Sequence, residues 1–121
     1  MEQPALKFDY SNDRLTNSGV SIDTDPFFVW NPEIERFFIW AELRKEIIID
    51  FKFKGYDSTT SLYITRLVKN CEKLSGKKKI IINWYFLIVD EDMEFKGEVY
   101  QDMTKRCKFN LIGLPGLKIE V

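Results

Sequence analysis

The amino-acid sequence predicts an α/β fold in which a mixed sheet of four to five strands packs against about three helices. Segments rich in β-branched and aromatic residues alternate along the chain with segments whose apolar residues recur at helical spacing. The first two strand-like segments follow one another without a helix between them, as in a hairpin. The predicted order is therefore β-β-α-β-α-β-α-β. Such alternation implies right-handed crossovers, with the helices mainly on one face of the sheet.

The composition is that of a folded globular protein. The 121 residues are 45% hydrophobic and 31% charged, and they predict a single domain over residues 1–121. The net charge of −1 gives no reason to expect nucleic acid or a membrane surface as a partner. The N-terminus lacks the features of a signal peptide, and no apolar run reaches membrane-spanning length. We therefore expect a cytoplasmic protein.

The N-terminal third predicts a hairpin and a long helix. Residues 6–10 alternate apolar and polar side chains, residues 11–13 are a turn sequence, and residues 14–20 form the second strand. Residues 27–44 have helical spacing, and Asn31 and Pro32 suit the cap and the first helical position. The aromatic residues that do not all fit on one side of this helix either widen the core or form a partner-binding patch. They are Phe27, Trp30 and Trp40.

The middle of the chain predicts a strand over residues 46–54 and a helix over residues 58–74. The apolar face of that helix consists of Tyr63, Ile64, Leu67, Val68, Cys71 and Leu74. Gly76 suits the position just beyond the helix end. Cys71 and Cys107 lie far apart in the sequence, and we expect Cys71 to be a buried free thiol, as in a reducing compartment.

The C-terminal third begins with the most apolar segment, residues 80–89, which predicts a central strand covered on both faces. An acidic start and a basic end predict a helix over residues 91–106, closed by Lys105 and Arg106. Residues 109–111 predict a last short strand, and residues 113–116 a turn. Residues 117–121 form either a terminal strand or an unstructured C-terminus.

Four hydroxyl residues in a row, Ser58, Thr59, Thr60 and Ser61, occupy the start of the second helix. Side-chain oxygens are favoured at such a position because they accept hydrogen bonds from unpaired backbone N–H groups. The same helix start tolerates a phosphate, because it offers free N–H groups and the positive end of the helix dipole. The cluster is thus a helix cap, a phosphorylation site, or both.

The sequence argues against most catalytic sites. It contains no histidine, so a Cys–His or Ser–His nucleophile is impossible within this chain. The acidic run of Asp90, Asp92 and Glu94 does not fit a calcium loop, because Phe95 and Gln101 stand where glycine and glutamate are needed. A small Mg²⁺-dependent enzyme using these three carboxylates remains an alternative function. No phosphate-binding loop is present, and we predict no cofactor.

Two motifs resemble those of the SiaC-like regulatory phosphoproteins, a bacterial family. Residues 84–86, 90–93 and 97–98 are similar to the family's signature W-x-Y…D-E-D-M…G-E. Residues 55–60 resemble its Y-F-N-T-S-S stretch. The resemblance runs from Leu6 to Phe109 and includes N-terminal matches, which are Leu15, Gly19, Pro26, Phe27, Phe28 and Trp40.

This resemblance implies a STAS-like architecture and a non-enzymatic partner switch. Family members are substrates of a dedicated Ser/Thr kinase and a PP2C-like phosphatase. The better-known members bind and activate a diguanylate cyclase when unphosphorylated. The family's acceptor threonine aligns with Ser58, which makes Ser58, Thr59 and Thr60 the candidate acceptors. Asp57 to Thr59 also resembles the phosphorylated motif of STAS-type anti-sigma-factor antagonists.

We predict partner-binding residues beside both motifs: Tyr56, Asp57, Asp90, Asp92 and Glu94. Residues 87–89 are apolar where relatives tend to be acidic, which predicts a different partner-facing surface. A further alternative is an interaction module for which phosphorylation is irrelevant.

Overall fold

In a computed structural model of the protein, which describes residues 7–20, 26–55 and 58–115, the elements follow the predicted order. They are β1 (Lys7–Ser11), β2 (Arg14–Val20), α1 (Pro26–Glu42), β3 (Glu46–Gly55), α2 (Ser58–Leu74), β4 (Lys79–Leu87), α3 (Glu91–Asp102) and β5 (Lys108–Leu114). The predicted α/β fold is therefore confirmed. None of the described helices has the length and apolar character needed to cross a membrane.

The five strands form one mixed sheet in the order β1-β2-β3-β4-β5. β1 and β2 are antiparallel and joined by a tight turn, in which Asn12 has a φ of 50°. Asparagine tolerates this left-handed conformation better than most residues. β2, β3, β4 and β5 pair in parallel, each with the next. The helices between them therefore all cross over in the same direction along the sheet.

The core lies on one face of this sheet. Alternate residues of β3 and β4 are buried there, namely Ile47, Ile49, Phe51, Phe53, Ile80, Ile82, Trp84 and Phe86. The apolar faces of the helices cover them, and the predicted buried face of α2 is confirmed except that Leu74 is only partly buried. β4 is an interior strand with a neighbour on each side, although β3 is the middle strand of the five. One face of β4 is buried in full, and the other is half-buried. The prediction that both faces are covered was therefore wrong.

The range predicted for α1 from its helical spacing, residues 27–44, nearly matches the observed helix, but the predicted cap and first helical position, Asn31 and Pro32, were wrong. The helix begins at Pro26, and Pro32 lies inside it. Pro26 takes the first helical position, where the missing N–H of proline costs nothing, and this is the role predicted for Pro32. Trp40 is half-buried and packs edge-on against Tyr10, with 5.1 Å between the ring centroids. Trp40 thus belongs to the border of the core, while the side chains of Phe27 and Trp30 lie outside the described residues.

The C-terminal part differs from prediction in two places. α3 ends at Asp102, so Lys105 and Arg106 do not close it. The Glu72 carboxylate instead accepts hydrogen bonds from the backbone N–H groups of Lys105, Arg106 and Cys107, at 2.9, 2.8 and 3.1 Å. These bonds direct the chain into β5, which is longer than predicted and includes residues expected to form a turn. The segment 117–121 lies outside the described residues.

Candidate functional site

The two sequence motifs meet at one edge of the sheet. β3 leads into α2 and β4 leads into α3, and these two strands are parallel neighbours. Both helices therefore begin at the carboxyl edge of the strands, where ligand and partner sites are common in α/β folds. The backbone of Ser58, Thr59 and Thr60 forms the first turn of α2. Their side chains, and all of Tyr56 and Asp57, lie outside the described residues.

Ser61, the fourth hydroxyl residue, connects α2 to α3. Its Oγ lies 3.1 Å from the Tyr100 hydroxyl oxygen, within hydrogen-bond distance. Its carbonyl accepts a 2.9 Å hydrogen bond from Thr65 Oγ1. Tyr100 is only 4% exposed, and its ring packs against the indole of Trp84 at a centroid distance of 5.2 Å. Sequence reasoning placed Ser61 in the hydroxyl cluster but gave no sign of this tyrosine partner.

The spacing of Trp84, Asp90, Met93 and Gly97 has a physical basis in this structure. The indole Nε1 of Trp84 donates a 2.9 Å hydrogen bond to the carbonyl of Met93. Asp90 is the N-cap of α3, and its Oδ1 accepts a 3.1 Å bond from the Met93 N–H. A β-carbon on Gly97 would lie 2.4 Å from Trp84 Cδ1, so only glycine lets α3 rest on the indole. The motif fixes the start of α3 on β4.

The three acidic residues do not converge. Asp90 is used as the cap, and Asp92 forms a 3.1 Å ion pair with Lys96 on the next turn. Glu94 lies in the first turn, where its charge complements the helix dipole. Across residues 7–20, 26–55 and 58–115, no three Cys, Asp or Glu side chains are grouped as metal ligands. This geometry does not favour the Mg²⁺-dependent alternative.

Several large apolar side chains are exposed at the two helix starts and along α3. Ile88 and Val89 lie in the connection between β4 and α3, and they are 55% and 78% exposed. Phe95 and Val99 lie four residues apart on the outer side of α3, and Leu62 is exposed at the start of α2. Exposed apolar groups of this size often mark interaction surfaces. Residues 87–89 were noted in the sequence, but Phe95, Val99 and Leu62 were missed.

The two described thiols are poor nucleophiles. Cys71 and Cys107 are buried and free, as predicted for Cys71. Burial raises the pKa of Cys71 well above its ordinary value. Burial also raises the pKa of Cys107 to about 11, although a 3.0 Å contact with Ser75 Oγ lowers it in part. Both thiols are therefore protonated at neutral pH, and only thiolates react readily.

The other face of the sheet carries a polar row that the sequence did not reveal. Asp50, only 1% exposed, accepts hydrogen bonds from Arg14 and from Thr16 Oγ1, the latter at 3.3 Å. Asn83 Nδ2 donates to Asp50 Oδ1 at 2.9 Å, and Asn110 Nδ2 donates to Asn83 Oδ1 at 2.9 Å. Thr16, Asp50, Asn83 and Asn110 are direct cross-strand neighbours. The row ties four parallel strands together.

A groove of about 250 Å³ lies far from the helix starts, between the C-terminal parts of α1 and α2. Its lining consists of Phe38, Ala41, Glu42, Leu74 and Lys78. The Lys78 ammonium donates to the carbonyls of Glu42 and Arg44, at 3.2 and 2.7 Å. Because this charge is used to hold the backbone, the groove offers little for recognising a polar ligand.

Comparison with known sequences identifies one family. The sequence model of the SiaC family regulatory phosphoproteins matches residues 1–114, nearly the whole chain. No protein of curated function matches the chain in sequence.

Solved structures of SiaC from Pseudomonas aeruginosa have the same fold. The crystal structure of the diguanylate cyclase SiaD in complex with its activator SiaC matches with a TM-score of 0.80 and 13% identity, covering 93% of each chain. Apo-SiaC matches with a TM-score of 0.77 and 12% identity, covering 92% of this chain and 91% of that one. A further SiaC structure gives 0.75 and 14%, covering 94% of each chain. At these identities the likeness establishes the fold alone.

Proposed function

The chain belongs to the SiaC family of regulatory phosphoproteins, and on this premise we propose that it is a non-enzymatic partner switch controlled by phosphorylation of the first turn of α2. The candidate acceptors are Ser58, Thr59 and Thr60. A Ser/Thr protein kinase and a PP2C-like phosphatase set the phosphorylation state. The unphosphorylated form binds an effector protein, such as a diguanylate cyclase, in the cytoplasm.

The observation that carries this proposal is the contrast between the starts of α2 and α3. The first turn of α3 contains three acidic residues, whereas the first turn of α2 contains hydroxyl residues and no acidic one. Both helix starts present unpaired N–H groups and a positive dipole end. At α3, fixed carboxylates complement that dipole. At α2, a phosphate group would supply the negative charge, and it would do so reversibly.

The surroundings of this turn support a protein partner. The exposed apolar side chains of Leu62, Ile88, Val89, Phe95 and Val99 lie on the two helix starts and on α3. Such groups lose unfavourable contact with water when a partner covers them. We assign the partner-binding role to this surface together with Tyr56, Asp57, Asp90, Asp92 and Glu94. A diguanylate cyclase is the effector class named for SiaC of P. aeruginosa, which is the activator of SiaD.

The same surface explains why phosphorylation would release the effector. A phosphate adds roughly −1.5 to −2 charges at neutral pH. The helix dipole favours this charge, so the fold is retained. An apolar or acidic partner surface disfavours it, because the charge must be desolvated or repelled on binding. The absence of histidine and the protonated state of both thiols further support a binding function over a catalytic one.

Mass spectrometry of the protein isolated from its native cells tests the proposal. We expect phosphate on Ser58, Thr59 or Thr60, and its removal by a PP2C-like phosphatase. Thr104 and Ser75 serve as internal controls, because their hydroxyls are engaged with Gln101 O and Cys107 Sγ and should remain unmodified. An unmodified cluster in cells, which the purified cognate kinase also fails to modify, would overturn the proposal.

A further inference from the structure

We propose that the hydrogen bond between Ser61 and Tyr100 transmits the phosphorylation state of the first turn of α2 to α3. In this arrangement Ser61 is a positioning residue and not a phosphate acceptor. The inference rests on the proposed function for its input, which is a phosphate at residues 58–60. It adds a physical connection from the phosphate in α2 to α3, the helix that carries the exposed residues Phe95 and Val99.

The α2 end of this connection is Ser61, three residues after the first residue of the helix. Its Oγ is part-buried and lies 3.1 Å from the Tyr100 hydroxyl oxygen. An oxygen held against a buried tyrosine is a poor substrate for a kinase, which needs access to the hydroxyl. The next residue, Leu62, is 66% exposed. Ser61 therefore faces α3, whereas Leu62 faces solvent.

The α3 end is rigid because Tyr100 is packed on the core. Its ring lies against Trp84 at 5.2 Å, and Trp84 in turn binds the Met93 carbonyl and contacts Gly97. Tyr100, Met93 and Gly97 together form the buried side of α3. Phe95 and Val99 occupy the exposed side of the same helix. A change at the Tyr100 hydroxyl therefore acts on the element that displays these two apolar residues.

A phosphate on residue 58 competes for this bond. Residues three apart on a helix are neighbours on its surface, so positions 58 and 61 lie on the same side of α2. Either hydroxyl can donate in the bond between Ser61 and Tyr100, and a charged phosphate oxygen accepts a stronger hydrogen bond than a neutral hydroxyl oxygen does. The Ser61 hydroxyl then turns towards the phosphate and releases Tyr100. Loss of this bond removes a contact between α2 and α3, while the packing of the Tyr100 ring on Trp84 remains. The backbone of α3 then opens more readily than before.

Amide hydrogen exchange tests this route. Phosphoserine is installed at position 58 by semisynthesis in the wild-type sequence and in Tyr100→Phe, which removes the hydroxyl and keeps the ring. In wild type we expect the phosphate to accelerate exchange over residues 91–102 by roughly two- to tenfold, the range set by loss of one hydrogen bond. In Tyr100→Phe the amides of α3 should exchange faster from the outset, and the phosphate should change them no further. Ser61→Ala should reproduce this behaviour.

Thr65→Val is the matched control, since it removes a hydroxyl that bonds within α2 and does not reach α3. It should leave the response of α3 to phosphate intact. A phosphate that leaves α3 exchange unchanged in wild type, or that changes it equally in wild type and Tyr100→Phe, would overturn the inference. Phosphate found on Ser61 itself would do so as well. Because this measurement uses installed phosphoserine and no effector, its failure is distinguishable from failure of the proposed function, which depends on phosphate in cells and on effector binding.

Discussion

Gly97 and Trp84 meet at the point where α3 rests on the sheet. A β-carbon on residue 97 would lie 2.4 Å from Cδ1 and 2.7 Å from Nε1 of the indole, and 2.7 Å from a methyl group of Leu111. The indole has no room to move, because Trp84 is 1% exposed and its Nε1 is held by the Met93 carbonyl. This contact gives a physical reason for the spacing between the tryptophan and the glycine of the family signature.

Gly97→Ala should therefore destabilise the protein. Overpacking a tight contact typically costs about 1–3 kcal/mol, which exceeds the roughly 1 kcal/mol that alanine gains over glycine by helix propensity. The free energy of unfolding, measured by chemical denaturation, should fall. Gly76→Ala is the control, because its β-carbon would meet the flexible end of Arg106 at 3.1 Å and the Lys73 carbonyl oxygen at an ordinary contact distance of 3.6 Å. Equal stability of the two variants would contradict this packing.

Asp90 should behave as a helix cap and not as a metal ligand. Asp90→Ala should lower the free energy of unfolding by about 1 kcal/mol, whereas Asp90→Asn should retain nearly all of it, because asparagine caps as well as aspartate. Calorimetry should detect no heat from micromolar Mg²⁺ with the wild-type protein. Heat that disappears in Asp90→Asn would instead support the carboxylate-based enzyme.

The polar row on the second face of the sheet should contribute strongly to stability. Asp50→Ala leaves Arg14, Thr16 and Asn83 without their shared acceptor in a buried position. We expect Asp50→Ala to lower the free energy of unfolding by about 2–3 kcal/mol. This is less than the cost of breaking a fully buried ion pair, because Arg14 is 46% exposed. Asp9→Ala, at the exposed cross-strand neighbour of Thr16, should change stability by less than about 0.5 kcal/mol. Comparable losses of stability in both variants would show that the polar row contributes no more than an exposed side chain does.

The sequence predicted the fold well because the apolar periodicities are strong and local. The α2 boundaries, 58 and 74, were predicted without error, since a hydroxyl cluster starts the helix and a Ser-Gly pair ends it. At α1 the chain offers two prolines for the first helical position, and the prediction took the second. The error at α3 arose where a distant residue decides how the chain continues. The chain that follows α3 is directed into β5 by Glu72, thirty-three positions before the first N–H that it binds. Likewise, no local pattern could pair Ser61 with Tyr100 or Asp50 with Asn83, because these contacts exist only after the strands are assembled.

Glu72 should make stability depend on pH. Burial alone would raise its pKa, but the backbone N–H groups of Cys107, Lys105 and Arg106 outweigh it and lower the pKa of the carboxyl. A lowered folded-state pKa means that the contribution is present above the unfolded value of about 4.3 and is lost as the pH falls through the folded value. Glu72→Gln should therefore be less stable than wild type by about 1–2 kcal/mol at pH 7.

The difference should shrink and disappear in acid, because a protonated Glu72 and a glutamine offer the same neutral acceptor. Denaturation at a series of pH values from 7 to 3 checks this. Glu35→Gln, at an exposed position of α1, is the control and should differ little from wild type at any pH. A Glu72→Gln deficit that persists unchanged in acid would mean that the carboxylate charge is not the cause.

The central claim is that phosphorylation of the first turn of α2 releases the effector, and the affinity for an effector tests it most directly. Binding to a purified diguanylate cyclase is compared for the unmodified protein, the protein carrying phosphoserine at position 58, Ser58→Ala and Ser58→Asp. Phosphoserine at position 11, an exposed residue at the opposite edge of the sheet, is the charge-matched control. We predict that phosphate at 58 weakens binding about 100-fold or more. Ser58→Ala should bind as the unmodified protein does, Ser58→Asp should be weakened only in part, and phosphate at 11 should have little effect. Equal affinities for the unmodified protein, the 58-phosphorylated protein and Ser58→Asp would contradict the account and leave Ser58 as a helix cap alone.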